Sequence, residues 1–217
     1  MIGPLFDPGW ILDNADELLA RTWEHIFLTL IAVALGFLIS FPLGVFAHRN
    51  RRALGPIMSV TGVLYTIPSL ALFAALVPFF GLSTTTGEIG LVSYTLLILI
   101  RNIVAGLQGV PSDAKEAAIG MGYTARELLW RVELPLAVPA IVAGLRIATV
   151  TTVGLVTVTA LIGQGGLGYF ILLGLTRFFA TAVIAGAVLS VVLAVLADRV
   201  LVLVEHRLAP WAGGRRA

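Results

Sequence analysis

Five apolar runs, each about 20 residues or longer, dominate the chain: His25–Ala47, Pro56–Phe80, Ile89–Val110, Leu136–Ile162 and Phe178–Val204. Wound as an α-helix, a run of that length spans the ~30 Å hydrocarbon core of a bilayer. The expected fold is an all-α integral membrane protein with about five transmembrane helices. Composition agrees. Hydrophobic residues are 59% of the chain and charged residues 12%, against about 45–50% and 25% in soluble domains. The 217 residues leave no room for a large soluble domain beside five spans. Cysteine is absent, which excludes a disulfide framework and any Cys-based metal site.

The N-terminal stretch carries acids where a signal peptide carries bases, and its first basic residue is Arg21. It reads as an interfacial segment. The expected division is an extracytoplasmic segment over 1–24, a transmembrane unit over 25–204 and a tail over 205–217. Ile171–Leu175 is apolar but too short to span, so a re-entrant or interfacial piece is expected there. A sixth span would need Phe170–Leu175 to join a complete helix. Gly166, Gly168, Gly174 and Arg177 argue against that.

Basic residues set orientation. Arg49, Arg51 and Arg52 crowd the first internal turn, and Arg207, Arg215 and Arg216 lie in the tail. The opposite side carries Arg21 and Arg177 among the acids Asp7, Asp13, Asp16, Glu17, Glu24 and Glu88. This predicts an outside N-terminus and a cytoplasmic C-terminus for a multi-pass protein of the cell membrane. Trp10 and Trp23 then anchor the outer interface.

The same orientation puts the polar loop 111–135 in the cytoplasm. Its residues predict two short helices. Ser112 caps the first, with Asp113 and Glu116 placed favourably against its dipole. Gly122 supplies a φ > 0 position at its end. Thr124 and Glu127 have capping-box spacing for the second. Leu128, Leu129 and Val132 make one apolar stripe, and Pro135 permits a break before the fourth span. The expected product is a compact helical knob, with Ala117, Ala118 and Gly120 small enough for close approach.

The spacing in this loop is specific. Glu116-Ala117-Ala118 is followed by three residues and Gly122, then nine residues, Val132, one residue and Leu134-Pro135. That pattern resembles the EAA loop of bacterial ABC-importer permeases, with Val132 in place of Ile. The resemblance implies that the loop is a coupling helix that docks on a separate ATPase. Glu116, Ala117, Ala118 and Gly122 would make the contact, and Leu134 and Pro135 would close the loop. No P-loop lies on the chain, because its lone lysine, Lys115, follows Ala114. The run Gly163–Gly168 fits GxGxxG literally but follows an apolar helix, not a strand, and a Rossmann reading is rejected.

Other stretches resemble the osmoprotectant permeases that import glycine betaine, carnitine or choline. These are Thr66–Leu72, Val77–Gly81, Arg101-Asn102 with Gly106-Leu107, and Gly163–Gly168, where Gln164 departs from the usual alanine. The resemblance implies a type I ABC importer-like permease subunit without catalytic, cofactor or metal residues. ATP and Mg would be held by a dimer of partner ATPases. A second permease subunit, identical or related, and an extracytoplasmic binding protein would complete the assembly among membrane lipids, with no nucleic acid. The Gly-rich loop and the length are shared with methionine permeases, which stay as the alternative. A secondary transporter would show an internal repeat and coupling acids within its spans. The sequence shows no repeat, and no acid in the first four spans apart from Glu24 at an edge.

The path itself leaves a weaker trace. Pro68 sits mid-span and removes a backbone hydrogen bond, with Thr66 and Ser69 close by to re-satisfy the backbone. Tyr65, Thr66, Pro68, Ser69 and Thr152 are the candidate path residues. Packing between helices is the competing reading of each threonine. Arg101 and Arg146 lie inside predicted spans. Snorkelling to the cytoplasmic interface explains both, and a gate is the sharper alternative.

Overall fold

The computed structural model describes residues 6–211, which are helical apart from short turns. A short helix, α1 (Pro8–Asp13), leads into α2 (Ala15–Arg49). At 35 residues, α2 is about 52 Å long. That exceeds the ~30 Å bilayer core, so part of it projects beyond the membrane. The first span therefore begins inside a helix that starts well before His25, and Trp23 belongs to that helix. A single residue, Asn50, separates α2 from α3 (Arg51–Thr66). Its N–H closes α2 on Phe46 O, and its side-chain oxygen accepts from Arg52 N at 3.1 Å to open α3.

The predicted second span is broken. α3 and α4 (Ser69–Phe80) meet at 94° across Ile67 and Pro68. Pro68 has no N–H to continue α3, and it pushes Ile67 into an extended conformation with ψ 127°. The two halves nevertheless count as one crossing. α5 (Thr84–Gln108) packs on α2 with Gly36 against Thr95 and Gly44 against Ile103. Both pairs advance in the same direction, so α2 and α5 are parallel, and the chain between them must return across the membrane. A Cβ at Gly36 or Gly44 would collide with α5.

After α5 come α6 (Ser112–Gly120), α7 (Ala125–Leu128) and a π-helical turn, Leu129–Glu133. α8 (Leu134–Val158) then runs antiparallel to α5, with Gly106 beside Ala137 and Ala140 at one end and Gly87 beside Thr159 at the other. The break that Pro135 permits is absent, and helix continues from Ala125 to Ile162. The wider π turn just before Pro135 relieves the clash with a preceding carbonyl that an α turn would impose. A 3₁₀ turn (Thr159–Ile162) and a glycine-rich turn precede α9 (Gly168–Arg177). At 10 residues α9 is about 15 Å long, too short to span, which removes the six-span alternative. α10 (Ala180–Leu208) is the last crossing. Four single helices and the bent pair thus give five spans.

Two buried clusters fill the two ends of the bundle. Leu28, Phe73, Leu91, Val156 and Ile162 occupy one end. Ile103, Leu107, Leu129, Leu134 and Ile141 occupy the other. The outward faces of α2 and α10 expose Leu30, Leu38, Val191 and Val195, as lipid contact permits. Glu88, expected among the outside acids, is 8% exposed inside α5, and neither carboxylate oxygen has a partner. Arg215 and Arg216, with the rest of 212–217 and the first five residues, lie outside the described residues.

Candidate functional site

The loop between α5 and α8 is built as two capped turns. α6 ends in a Schellman arrangement: Gly122 N–H donates to Ile119 O at 2.9 Å, and Tyr123 N–H to Ala118 O at 3.1 Å. Gly122 has φ +85°, the left-handed conformation expected from its place in the sequence. Thr124 and Glu127 form the full capping box, side chain to backbone in both directions. Backbone and side-chain hydrogen bonds from Thr124, in that order, hold the Glu127 carboxyl below its ordinary pKa. Ser112 does not act as the cap expected of it. Pro111 stands at the N-cap position, and Ser112 is the first residue of α6, its hydroxyl turned to Asp113.

Of the expected docking residues, Glu116, Ala117 and Gly122 are exposed, while Ala118 is buried against the bundle. Leu134 is buried and Pro135 half-buried at the start of α8. Ile119 and Met121, passed over in the sequence, are also exposed beside Glu116 and Ala117. They give the knob an apolar tip on an otherwise polar loop.

What holds the knob in place was not legible beforehand. Glu133, in the π turn, is buried, and one of its oxygens receives both Lys115 Nζ at 3.4 Å and His48 Nε2 at 3.6 Å. Lys115 also donates to Leu107 O at 3.3 Å. Arg49 Nη2 donates to Ala125 O at 2.7 Å. One carboxylate thereby joins the ends of α2 and α8 and the start of α6. The sequence hint was present: a lone lysine one residue before Glu116, and an acid one residue before Leu134. Leu129, from the same π turn, is 4% exposed within the cluster of Ile103, Leu107 and Ile141. The knob is therefore anchored to the spans by charge and by packing.

Four path candidates meet at the bend. Thr66 ends α3, its hydroxyl donating to Val63 O at 2.8 Å. Pro68 and Ser69 start α4. Tyr65 is 38% exposed and meets Tyr94 edge-on at 5.9 Å. The Tyr94 hydroxyl donates to Ile67 O, a carbonyl the bend sets free. Thr152, the fifth candidate, is apart from them at 1% exposure on α8. Arg101 is exposed on α5 and has no ion pair among the described residues. Arg146 is held by Asp198 and Glu205 of α10.

At the opposite end, the glycine-rich turn takes positive φ at Gly163, Gly165 and Gly166. It is pinned by His25, which is 0% exposed. Leu167 N–H donates to His25 Nδ1 at 3.3 Å, which leaves Nε2–H to donate to Val153 O at 3.0 Å. Thr84 on α5 adds a hydrogen bond to Gln164 at 3.0 Å. Among the described residues the turn joins two helices, with no strand before it. No group of three or more metal-ligating side chains is found among the described residues.

The family described as "Binding-protein-dependent transport system inner membrane component" matches residues 36–210. The choline transport system permease protein OpuBB of Bacillus subtilis (strain 168) is 40% identical over 203 residues, 94% of this chain and 93% of that protein. The osmoprotectant import permease protein OsmW of Salmonella typhimurium is 36% identical over 204 residues, 92% of this chain and 93% of that protein. Among solved structures, the inward-facing MetNI methionine ABC transporter superposes with a TM-score of 0.80 at 24% identity, covering 88% of this chain and 96% of that one. At that identity the likeness concerns the fold alone.

Proposed function

Since the chain belongs to the family of binding-protein-dependent transport system inner membrane components, we propose that it is the permease subunit of an ATP-driven importer for quaternary-amine osmoprotectants such as glycine betaine, choline or carnitine. The carrying observation is the loop: a capped, left-handed-terminated knob with the spacing of an ATPase-docking helix, tied by Glu133 to the ends of two spans, α2 and α8. Curated relatives at 34–40% identity over more than nine-tenths of the chain are named for choline, carnitine and glycine betaine, which favours that substrate class. The methionine reading rests on a shared fold only.

In this reading the partner ATPases bind ATP and Mg, and a separate binding protein selects the solute. Two permease subunits enclose the path, the bend at Tyr65–Ser69 belonging to it. Glu116, Ala117, Ile119 and Met121 sit in the ATPase, with Gly122 shaping the knob. The end of the bundle that carries Arg49, Arg51, Arg52 and the knob faces the cytoplasm, and the His25 end faces outward. The test is reconstitution with the ATPase and the binding protein. Glycine betaine or choline should stimulate ATP hydrolysis and enter the vesicles. Stimulation by methionine and by no quaternary amine overturns the substrate class.

A further inference from the structure

The turn between α9 and α10 carries the one non-glycine residue with positive φ among the described residues. Phe178 has φ +54° and ψ +39°, and it is 97% exposed. Just past a helix, glycine is the usual occupant of this conformation. For a bulky side chain it is an outlier. Nothing inside the chain rewards the strain. Phe179 N–H donates to Gly174 O at 2.8 Å and closes α9. The Phe179 ring meets Trp10 edge-on at 5.2 Å, and Trp10 meets Phe170 at 5.9 Å. Phe178 takes no part in either pair. The left-handed turn thus sends one phenyl ring inward and its neighbour out.

The contacts also place the turn. α10 runs parallel to α2, with Leu18 beside Ala185 at one level, and with Leu30 and Val33 sharing a groove with Leu196 and Val200 at the next. α9 packs antiparallel on α10, Gly186 against Leu167 and Ile171, and Gly174 against Phe179 and Val183. α9 therefore runs outward from the glycine-rich turn. That turn is where Thr84 of α5 bonds Gln164 and where Gly165 lies against Ala160, at the end of α8. The ~15 Å length of α9 carries Phe178 beyond the ends of both helices. Asp7 N–H donates to Thr181 Oγ1 at 2.9 Å beside it, and Arg177, Asp13 and Asp16 are exposed in the same region. Exposed charges do not sit in hydrocarbon, so Phe178 has no lipid tails to enter. The exposed Trp23, a residue type suited to the interface, lies ~7.5 Å from Leu18 in the opposite direction, toward the bilayer.

A wholly exposed ring that projects along the bundle axis meets what docks end-on from outside. A lateral neighbour would meet the flanks of the spans instead. The family's dependence on a binding protein supplies such a partner. We propose that Phe178 is an anchor for the solute-binding protein and enters an apolar hollow on that protein's surface. An aromatic centre with charged residues about it is how protein–protein interfaces are built. The turn already holds the ring outside, so docking costs it little freedom. The inference rests on the proposed reading of the chain as an importer permease with its His25 end outward.

The chain has no cysteine, so Phe178→Cys can be labelled at one position with a benzophenone maleimide before reconstitution with the ATPase. Irradiation with the binding protein present should cross-link the two proteins. Cross-links to lipid alone, or to a second permease alone, overturn the proposal. Phe178→Gly removes the ring and the strain together, so its melting temperature should equal or exceed that of the wild type. The binding-protein concentration that half-maximally stimulates ATP hydrolysis should nevertheless rise about tenfold, with basal hydrolysis and the saturated rate unchanged. Phe178→Trp keeps a ring at the tip and should restore most of the affinity. A wild-type half-maximal concentration in Phe178→Gly overturns the anchor. Cross-linking is read without solute or transport. Hydrolysis that no quaternary amine stimulates would remove the substrate class and leave the cross-link standing. A missing cross-link with betaine-stimulated hydrolysis would remove the anchor alone.

Discussion

Replacing Gly122 tests the docking argument where its magnitude is cleanest. The residue has φ +85°, and a Cβ there would meet nothing within 4 Å. Any penalty on a side chain is therefore backbone strain, not collision. Alanine in the left-handed region costs about 1–2 kcal/mol, and a β-branched residue about 2–3 kcal/mol. Asparagine visits this region readily and should cost least. At about 1.4 kcal/mol per tenfold, Gly122→Val lowers the population of the docking shape roughly 30- to 150-fold. The spans are untouched, since Gly122 is exposed at the loop end. Affinity for the ATPase should fall in the order Gly, Asn, Ala, Val, with the melting temperature of the permease unchanged. Wild-type affinity in Gly122→Val refutes the reasoning. Equal loss in Asn and Val would trace the effect to bulk at the interface instead of to φ.

Glu133→Gln should loosen the knob by about 1–3 kcal/mol, less than a fully buried pair because Lys115 is partly exposed; faster hydrogen exchange over α6 is the readout. The folded pKa of Glu127 is lowered, so its capping contribution is present above the ordinary carboxylate pKa and lost as pH falls through the lowered value, which exchange over α7 should show. His25→Leu leaves Leu167 N–H and Val153 O without their partner and should lower stability by about 2–4 kcal/mol, seen as a lower melting temperature in detergent. Tyr94→Phe frees Ile67 O and should cost about 1 kcal/mol, seen as faster exchange over α4. Reporter fusions at Ala53 and Gln164 should report cytoplasm and exterior respectively; the reverse pattern overturns the orientation.

Span count, loop helices and the left-handed glycine were legible because each has a local cause: run length, capping spacing, and a helix that ends where only glycine is comfortable. The bend was half legible. Pro68 announced a disturbance, but the carbonyl it frees is taken up by Tyr94, 27 residues away. Glu133, Arg146 and His25 were misread or passed over for one reason. Each is satisfied by partners distant in sequence: Lys115 and His48 for the first, Asp198 and Glu205 for the second, Val153 and Leu167 for the third. Composition and spacing do not encode such pairings.

Pro135 shows how a correct local rule gives a wrong element. Proline after a loop normally ends a helix, because its ring clashes with the carbonyl four residues back. That clash assumes an α turn. Leu129–Glu133 is wound as a π turn, and the wider ring lets the helix pass through Pro135 without interruption. The consequence is mechanical. Span two is divided at Pro68 by 94°, whereas the helix from Ala125 to Ile162 is continuous. It is about 57 Å long, and it joins the knob at one end to the turn pinned by His25 at the other. A displacement of the knob that leaves this helix unbent is carried along α8 or taken up where α8 packs on α5 and α10. The π turn thus makes α7 and the span one continuous helix, and Glu133 within it ties that helix to Lys115 of α6 and His48 of α2.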